Sequence, residues 1–301
     1  MISGDINSRD RATRPTIEDS EARRGFAWIA RVVRDSRGCS SWLTETGHER
    51  ETSIPLYHPR RRQVLPESLT PLFPPDFARL RGDATLAVYI DLKSPYAYIA
   101  IKPTRDMAKA AGVEIDWRPF TLDIPSYLGT AKLAKDGKKV ESANRTPVQW
   151  SGVKYAYADA RRYASLTDTM VRGTIKIWDS SQAGIAMLWA KEQGRFDEFI
   201  DIAYASFWKR ELNIDDVAVL EDTLTAASVE VAGFRDWLNG PGRILHDEMN
   251  LSAFDAGVYG VPTYLVEDEM WFGREHLPRV EWVLGGRKGP APSVANRSFA
   301  A

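Results

Sequence analysis

Ser94 stands in "YIDLKSPYAYIAIKP" (residues 89–103), where an alternating, β-branched run stops and Pro95 opens a helix-like segment. A serine at that junction has two uses. It is a good N-cap ahead of a good first helical residue. It also sits where free backbone N–H groups and the positive end of a helix dipole converge, a place suited to an anion. A serine nucleophile would need a base, and the sequence suggests no histidine beside it. A hydroxyl that donates to a bound thiolate needs none. One such bond is worth roughly 1.5–3 kcal/mol, lowering a thiol pKa by about one to two units. A ligand thiol, ordinarily near about 8.5, would then be mostly ionised at neutral pH. The chain cannot bring that sulfur itself, because its one cysteine, Cys39 in "DSRGCSSW", lies outside any periodic segment. A dithiol–disulfide cycle within the chain needs two thiols, so dithiol oxidoreductase chemistry is not expected.

The elements that must position Ser94 are legible from residue 83 onward. "ATLAVYID" (84–91) predicts a strand, "PYAYIAIKPTRDMAKAAG" (95–112) a helix ending at Gly112, and "VEIDWRPF" (113–120) a second strand. Together they predict a right-handed βαβ unit with parallel strands. A helical block follows over about 148–257, in runs such as "VQWSGVKYAYADARRYASL", "SQAGIAMLWAKEQGRFDEFIDIAYASFWKREL" and "IDDVAVLEDTLTAAS". Strand character returns in "GVPTYLVED" (260–268) and "EMWFG" (269–273), before a closing helix over 274–286 with Pro278 in its first turn or at a kink. Neither end can bury its sheet face alone. One sheet assembled around an inserted helical domain is therefore expected, an α/β architecture of order βαβ…ββα. The expected divisions are 1–82, 83–123, 124–245, 246–286 and 287–301.

Residues 1–82 hold fourteen arginines and no lysine, with acids interleaved, and "LPESLTPLFPPDF" (65–77) reads as a linker. A disordered extension is expected there, with one short helix at "FAWIARVV" (26–33), or a start codon set too far upstream; the tail after 286 is expected to be disordered as well. The net charge of −1 gives no reason to expect nucleic acid or an anionic membrane as partner. No apolar run approaches the length needed to cross a bilayer, and the start lacks a secretory signal's apolar segment, so a cytoplasmic protein is expected. Four scattered histidines and one cysteine predict no metal site, and no phosphate-loop or dinucleotide motif is present.

The residues around Ser94 resemble the active-site turn of the 2-hydroxychromene-2-carboxylate isomerases and kappa-class glutathione transferases, in the DsbA-like branch of the thioredoxin superfamily. The resemblance spans about 85–285, with four further pieces in order: "SANRTPVQW" (142–150), "YAYADARRYA" (155–164), "FWKRELNI" (207–214) and "GVYGVPTYLV…MWFGREHL" (257–277). It implies a thioredoxin-like fold of the DsbA/kappa-class type with an inserted all-helical domain, and glutathione as cofactor. Where redox members carry Cys-x-x-Cys, this chain reads Ser94-Pro95-Tyr96-Ala97. The resemblance gives Ser94 the bound thiolate, and Val261, ahead of a cis Pro262, the cysteinyl backbone of glutathione. Asn144 would contact the tripeptide or the second substrate, and Glu275 the γ-glutamyl amine. Family members commonly have a small polar residue and an aspartate at that last corner. This chain has Arg274-Glu275, so Arg274 would bind a carboxylate of glutathione or of an acidic second substrate. Of the aromatics, Tyr96 and Trp150 are expected as pocket walls, and Tyr98, Tyr155, Trp178, Trp208 and Trp271 as core.

The implied activity is a glutathione-dependent isomerase, or a transferase if the adduct leaves, acting on an electrophilic aromatic-catabolism intermediate. The alternative is a DsbA-family binding protein that keeps the thioredoxin-like groove without the chemistry. A small aromatic or electrophilic substrate is the expected partner, and a homodimer is compatible with the resemblance.

Overall fold

The computed structural model describes residues 76–293. The expected extension up to residue 75, its helix at 26–33 and Cys39 lie outside the described residues. The central strand β1 (Leu86–Ile90) is buried along its whole length, as its unbroken apolar run requires. Helix α2 (Pro95–Ala111) ends at Gly112, whose φ of +68° suits a residue without Cβ. Strand β2 (Ile115–Pro119) returns parallel to β1, with Leu86 opposite Ile115 and Ile90 opposite Pro119. Pro119 is tolerated because β2 is an edge strand.

Strands β5 (Thr263–Val266) and β6 (Glu269–Phe272) complete an antiparallel half, giving the sheet order β2-β1-β5-β6. Val88 faces Tyr264 across the β1–β5 pair, which joins the two ends of the sequence in one sheet. Helix α10 (Leu277–Leu284) follows a single 3-10 turn at Arg274–His276, with Pro278 in its first turn.

Between these halves the regular structure is helical except at one place. Helix α3 (Ile124–Leu128) leads into a hairpin of β3 (Ala131–Leu133) and β4 (Val140–Ala143), so the insertion is not all-helical as expected. The hairpin escapes a periodicity reading because its strands are short and β4 is exposed throughout; Asp136 and Gly137 make its turn, with the Asp136 carboxylate accepting from Lys138 N at 2.8 Å. Helix α4 (Pro147–Ala164) opens on a capping box between Thr146 and Gln149. The helical run over 181–212 forms two helices, α5 (Ser181–Glu192) and α6 (Phe196–Trp208), broken at Gly194 with φ +67°. Helices α7 (Val217–Ala226) and α8 (Phe234–Asn239) follow, and α9 (Pro241–Asp255) runs through the expected boundary at 245/246.

Two further boundaries shift. Helix α1 (Phe77–Arg81), placed in the extension by composition, belongs to the folded body. The Arg118 guanidinium donates to Leu80 O at 2.5 Å and Arg81 O at 2.7 Å, while Phe77 and Leu80 pack on the core. Beyond residue 286, Arg287 pairs with Glu267 and Glu269, and Trp282 Nε1 donates to Gly289 O at 3.2 Å. A chain starting at Ala84 is therefore expected to be less stable than one starting at Asp76 by about 2 kcal/mol, since half-buried charged hydrogen bonds are lost. Urea midpoints of the two chains check this, and equal midpoints contradict it.

His246 ties the insertion to the sheet. It is buried on α9, with Nε2 3.0 Å from Thr121 Oγ1 and Nδ1 2.9 Å from Asp247 Oδ1, while Asn250 Oδ1 accepts from Thr121 N at 2.8 Å. Burial pushes its pKa below the ordinary histidine range, with Asp247 opposing. The folded state then binds fewer protons than the unfolded one. The stability so conferred is present above about pH 6.5 and is lost as pH falls through the depressed value. His246→Gln is expected to flatten the loss of stability between about pH 7.5 and 5.5; unfolding midpoints that fall equally in both proteins would refute it.

Candidate functional site

Ser94 N-caps α2: its Oγ accepts from Ala97 N at 3.2 Å. The same hydroxyl reaches across 167 residues of sequence to Val261 O at 3.4 Å, so the start of α2 meets the loop before β5. The Val261–Pro262 peptide of that loop is cis. Pro262 O accepts from Gly273 N at 2.9 Å, and Thr263 Oγ1 donates to Gly260 O at 2.7 Å, fixing the loop from both sides.

The turn before Ser94 is held by a buried carboxylate. Asp91 accepts from Lys93 N at 3.1 Å and from Leu122 N at 2.8 Å, and its Oδ2 lies 3.6 Å from Lys93 Nζ. Its backbone oxygen accepts from Ser94 N at 3.0 Å and from the Tyr204 hydroxyl at 3.0 Å. The Lys93 ammonium is closed in, and also donates to Trp178 O at 3.4 Å. The Ser94 hydroxyl itself sits at the N-terminus of a 17-residue helix.

A cleft of about 830 Å³ opens beside this meeting point, between α2, α4, the cis-proline loop and the turn before α10. Val261, Pro262, Arg274 and Glu275 face it, together with Tyr96 from the first turn of α2. Ser94 does not. It is 4% exposed, and is not among the residues that line the cleft. Asn144 is also elsewhere: at the end of β4, its Oδ1 accepts from Thr130 N at 2.6 Å and Thr130 Oγ1 at 3.1 Å, closing the base of the hairpin. Trp150 lines a different cavity, under the Arg145 guanidinium.

Within the cleft, charge is divided. Asp159, Glu275 and Glu281 supply carboxylates and Arg274 a guanidinium, which lies 3.7 Å above the Tyr163 ring. The Glu275 carboxylate folds back over Gly273, where a Cβ would collide with it; the φ of +100° there also favours glycine. The Tyr96 hydroxyl donates to Asp159 Oδ2 at 3.3 Å. Burial, with the nearby Asp159 charge, pushes its pKa up to about 12, so the phenol keeps its proton at neutral pH.

Sequence reasoning missed Tyr155, Asp159 and Tyr163. They recur at four-residue spacing along α4, which puts them on one helix face, and all three line the cleft. Tyr155 had been expected in the core; it is exposed. Trp178 lines a small cavity beside Lys93, whereas Tyr98 and Trp208 are packed as expected, Tyr98 stacking on Tyr204 at 4.9 Å.

Fold and site together define a class. Residues 85–285 match the DSBA-like thioredoxin domain, and the chain belongs to that family. Three curated relatives carry the name 2-hydroxychromene-2-carboxylate isomerase. The one from Sphingobium xenophagum is 24% identical over 66% of this chain and 97% of its own length. That from Pseudomonas sp. (strain C18) is 24% identical over 66% of this chain and 89% of its own. Among solved structures, a 2-hydroxychromene-2-carboxylate isomerase superposes with TM-score 0.51 at 19% identity, covering 72% of this chain and 99% of that one. A probable DsbA oxidoreductase from Streptomyces coelicolor superposes with TM-score 0.52 at 19% identity, covering 69% and 92%.

Proposed function

We propose that this protein is a glutathione-dependent isomerase, or a transferase, for an electrophilic aromatic-catabolism intermediate. The observation that carries the reading is the meeting of the Ser94 hydroxyl with Val261 O at 3.4 Å, beside the Val261–Pro262 edge of the cleft. The relatives named as isomerases support the reaction class.

The residues present fit glutathione. A cleft of about 830 Å³ has the size of a small-molecule site. Arg274 would hold a carboxylate, Glu275 or Asp159 the amine, and the Val261 backbone the cysteinyl peptide unit, as an added strand does. When bound, glutathione supplies a sulfur nucleophile that adds reversibly to an electrophilic carbon and is returned unconsumed. The chain's part is to keep that sulfur ionised and the cleft ordered. Ser94 would donate to it, the first turn of α2 would add positive potential, and Tyr96, still protonated, would present a neutral wall. To reach the cleft, the Ser94 hydroxyl must exchange Val261 O for the sulfur. The bond it gives up is long, hence weak, which keeps that exchange inexpensive.

The burial of Ser94 away from the cleft lining favours a second reading, a binding protein with the same groove and no thiolate chemistry. Calorimetry separates the two. If the enzyme reading holds, glutathione binds with release of a proton, while S-methylglutathione binds without one. Equal, proton-neutral binding of both would support the binding protein, and binding of neither overturns the enzyme reading.

A further inference from the structure

A second cavity of about 420 Å³ lies between the β3–β4 hairpin, α4 and the stretch before α5. It shares no lining residue with the cleft that holds Val261 and Pro262, although Arg145, Val153, Tyr157, Thr174 and Ile177 also line the small cavity that reaches Lys93 and Pro95. Its charged lining is Arg145, Lys154, Arg161 and Arg210, with no carboxylate among the lining residues. The cleft at Val261–Pro262 has the opposite balance, three carboxylates to one guanidinium.

The donors are unevenly spent. Arg210 gives Nε to Gly173 O at 2.6 Å and one terminal nitrogen to Gly137 O at 3.2 Å. Arg161 gives Nε to Val171 O at 2.9 Å and lies over the Tyr157 ring. Arg145 stacks on Trp150 with its guanidinium 5.1 Å from the ring centre, and its buried Nε has no hydrogen-bond partner. Burial also lowers its pKa, the sign that this cation is held without enough countercharge. The remaining wall is mostly apolar, with Leu133, Val153 and Ile177 beside Trp150 and Tyr157, and Thr174 as its polar member.

One carboxylate is satisfied by a single guanidinium in a forked pair. Three arginines and a lysine around one cavity exceed that need and match a dianion with three oxygens, on an apolar body that covers the aromatic wall. We infer that this cavity binds the dianionic phosphate of an organic phosphate monoester, with its apolar portion against Trp150 and Tyr157, at a site separate from the cis-proline cleft.

1-Naphthyl phosphate, 1-naphthoate, 1-naphthol and inorganic phosphate, titrated into the full chain by calorimetry, test this. The phosphate monoester is expected to bind at least about tenfold more tightly than the naphthoate, and more tightly still than the naphthol, since each charged hydrogen bond is worth roughly 1.5–3 kcal/mol. Arg145→Gln is expected to weaken the monoester about tenfold and leave naphthol unchanged, and Arg145 makes no hydrogen bond whose loss would unfold the chain. Lys154→Gln, on an exposed side chain, gives a smaller loss in the same direction. Saturating glutathione should not displace the monoester. Naphthol or naphthoate binding as tightly as the monoester, or monoester affinity unchanged in both variants, overturns the inference. Displacement by glutathione overturns the separateness of the site. Inorganic phosphate binding as tightly as the monoester removes the role given to the aromatic wall.

Discussion

Ser94→Ala is expected to cost the protein about ten- to a hundredfold in glutathione-dependent turnover and to raise the bound thiol's pKa by about one to two units. Both follow from losing one charge-assisted hydrogen bond of roughly 1.5–3 kcal/mol. Alanine also removes the N-cap of α2, whose Oγ accepts from Ala97 N, and that costs about 1 kcal/mol of stability. The two effects separate with Ser94→Gly, which caps nearly as well as serine but carries no hydroxyl. If both variants lose activity alike while only alanine lowers the unfolding midpoint, the chemistry belongs to the hydroxyl. Full activity in Ser94→Gly would remove Ser94 from the reaction and leave it a structural cap.

Asp91→Ala should be the more damaging change to the fold, at about 3–5 kcal/mol. The carboxylate is buried, accepts from two backbone N–H groups, and is the acid partner of the buried Lys93 ammonium. Its removal strands that cation and leaves Leu122 N without its acceptor, the circumstance in which breaking a buried pair costs most. Asp91→Asn keeps an acceptor while losing the charge, so an intermediate loss is expected. Chemical denaturation of the three proteins checks the order. A loss below about 1 kcal/mol in Asp91→Ala would mean that water or another acceptor reaches Lys93 and Leu122. Because Ser94 N donates to Asp91 O, a shifted turn would also be felt at the hydroxyl.

The sheet could be read from the sequence because its strands announce themselves. β1 is an unbroken apolar run, α2 begins at Ser-Pro and ends at glycine, and the Gly-Val-Pro-Thr context marks the loop before β5. What could not be read lies where side chains answer to distant partners. The hairpin of β3 and β4 is short and exposed, so no alternation marks it. α1 sits in an arginine-rich stretch that looks unstructured by composition, yet Arg118, far along the chain, accounts for two of its carbonyls. Four of the six candidate residues, Val261, Pro262, Arg274 and Glu275, meet at one cleft, because the loop and the turn that carry them flank β5 and β6. Asn144 is spent on Thr130 instead. The depth of Ser94 could not be anticipated, since its hydroxyl meets Val261, which is 167 residues away. The α4 face of Tyr155, Asp159 and Tyr163 was legible by its spacing, but on sequence grounds such a stripe is indistinguishable from one that packs inward.

The central claim is that this fold lowers the pKa of a sulfur it does not own. The direct test is an ultraviolet thiolate titration of glutathione in complex with the protein, set against free glutathione in the same buffer. The account predicts a midpoint about one to two units below that of the free thiol, moving back in Ser94→Gly. A bound thiol that titrates with the free one would contradict it.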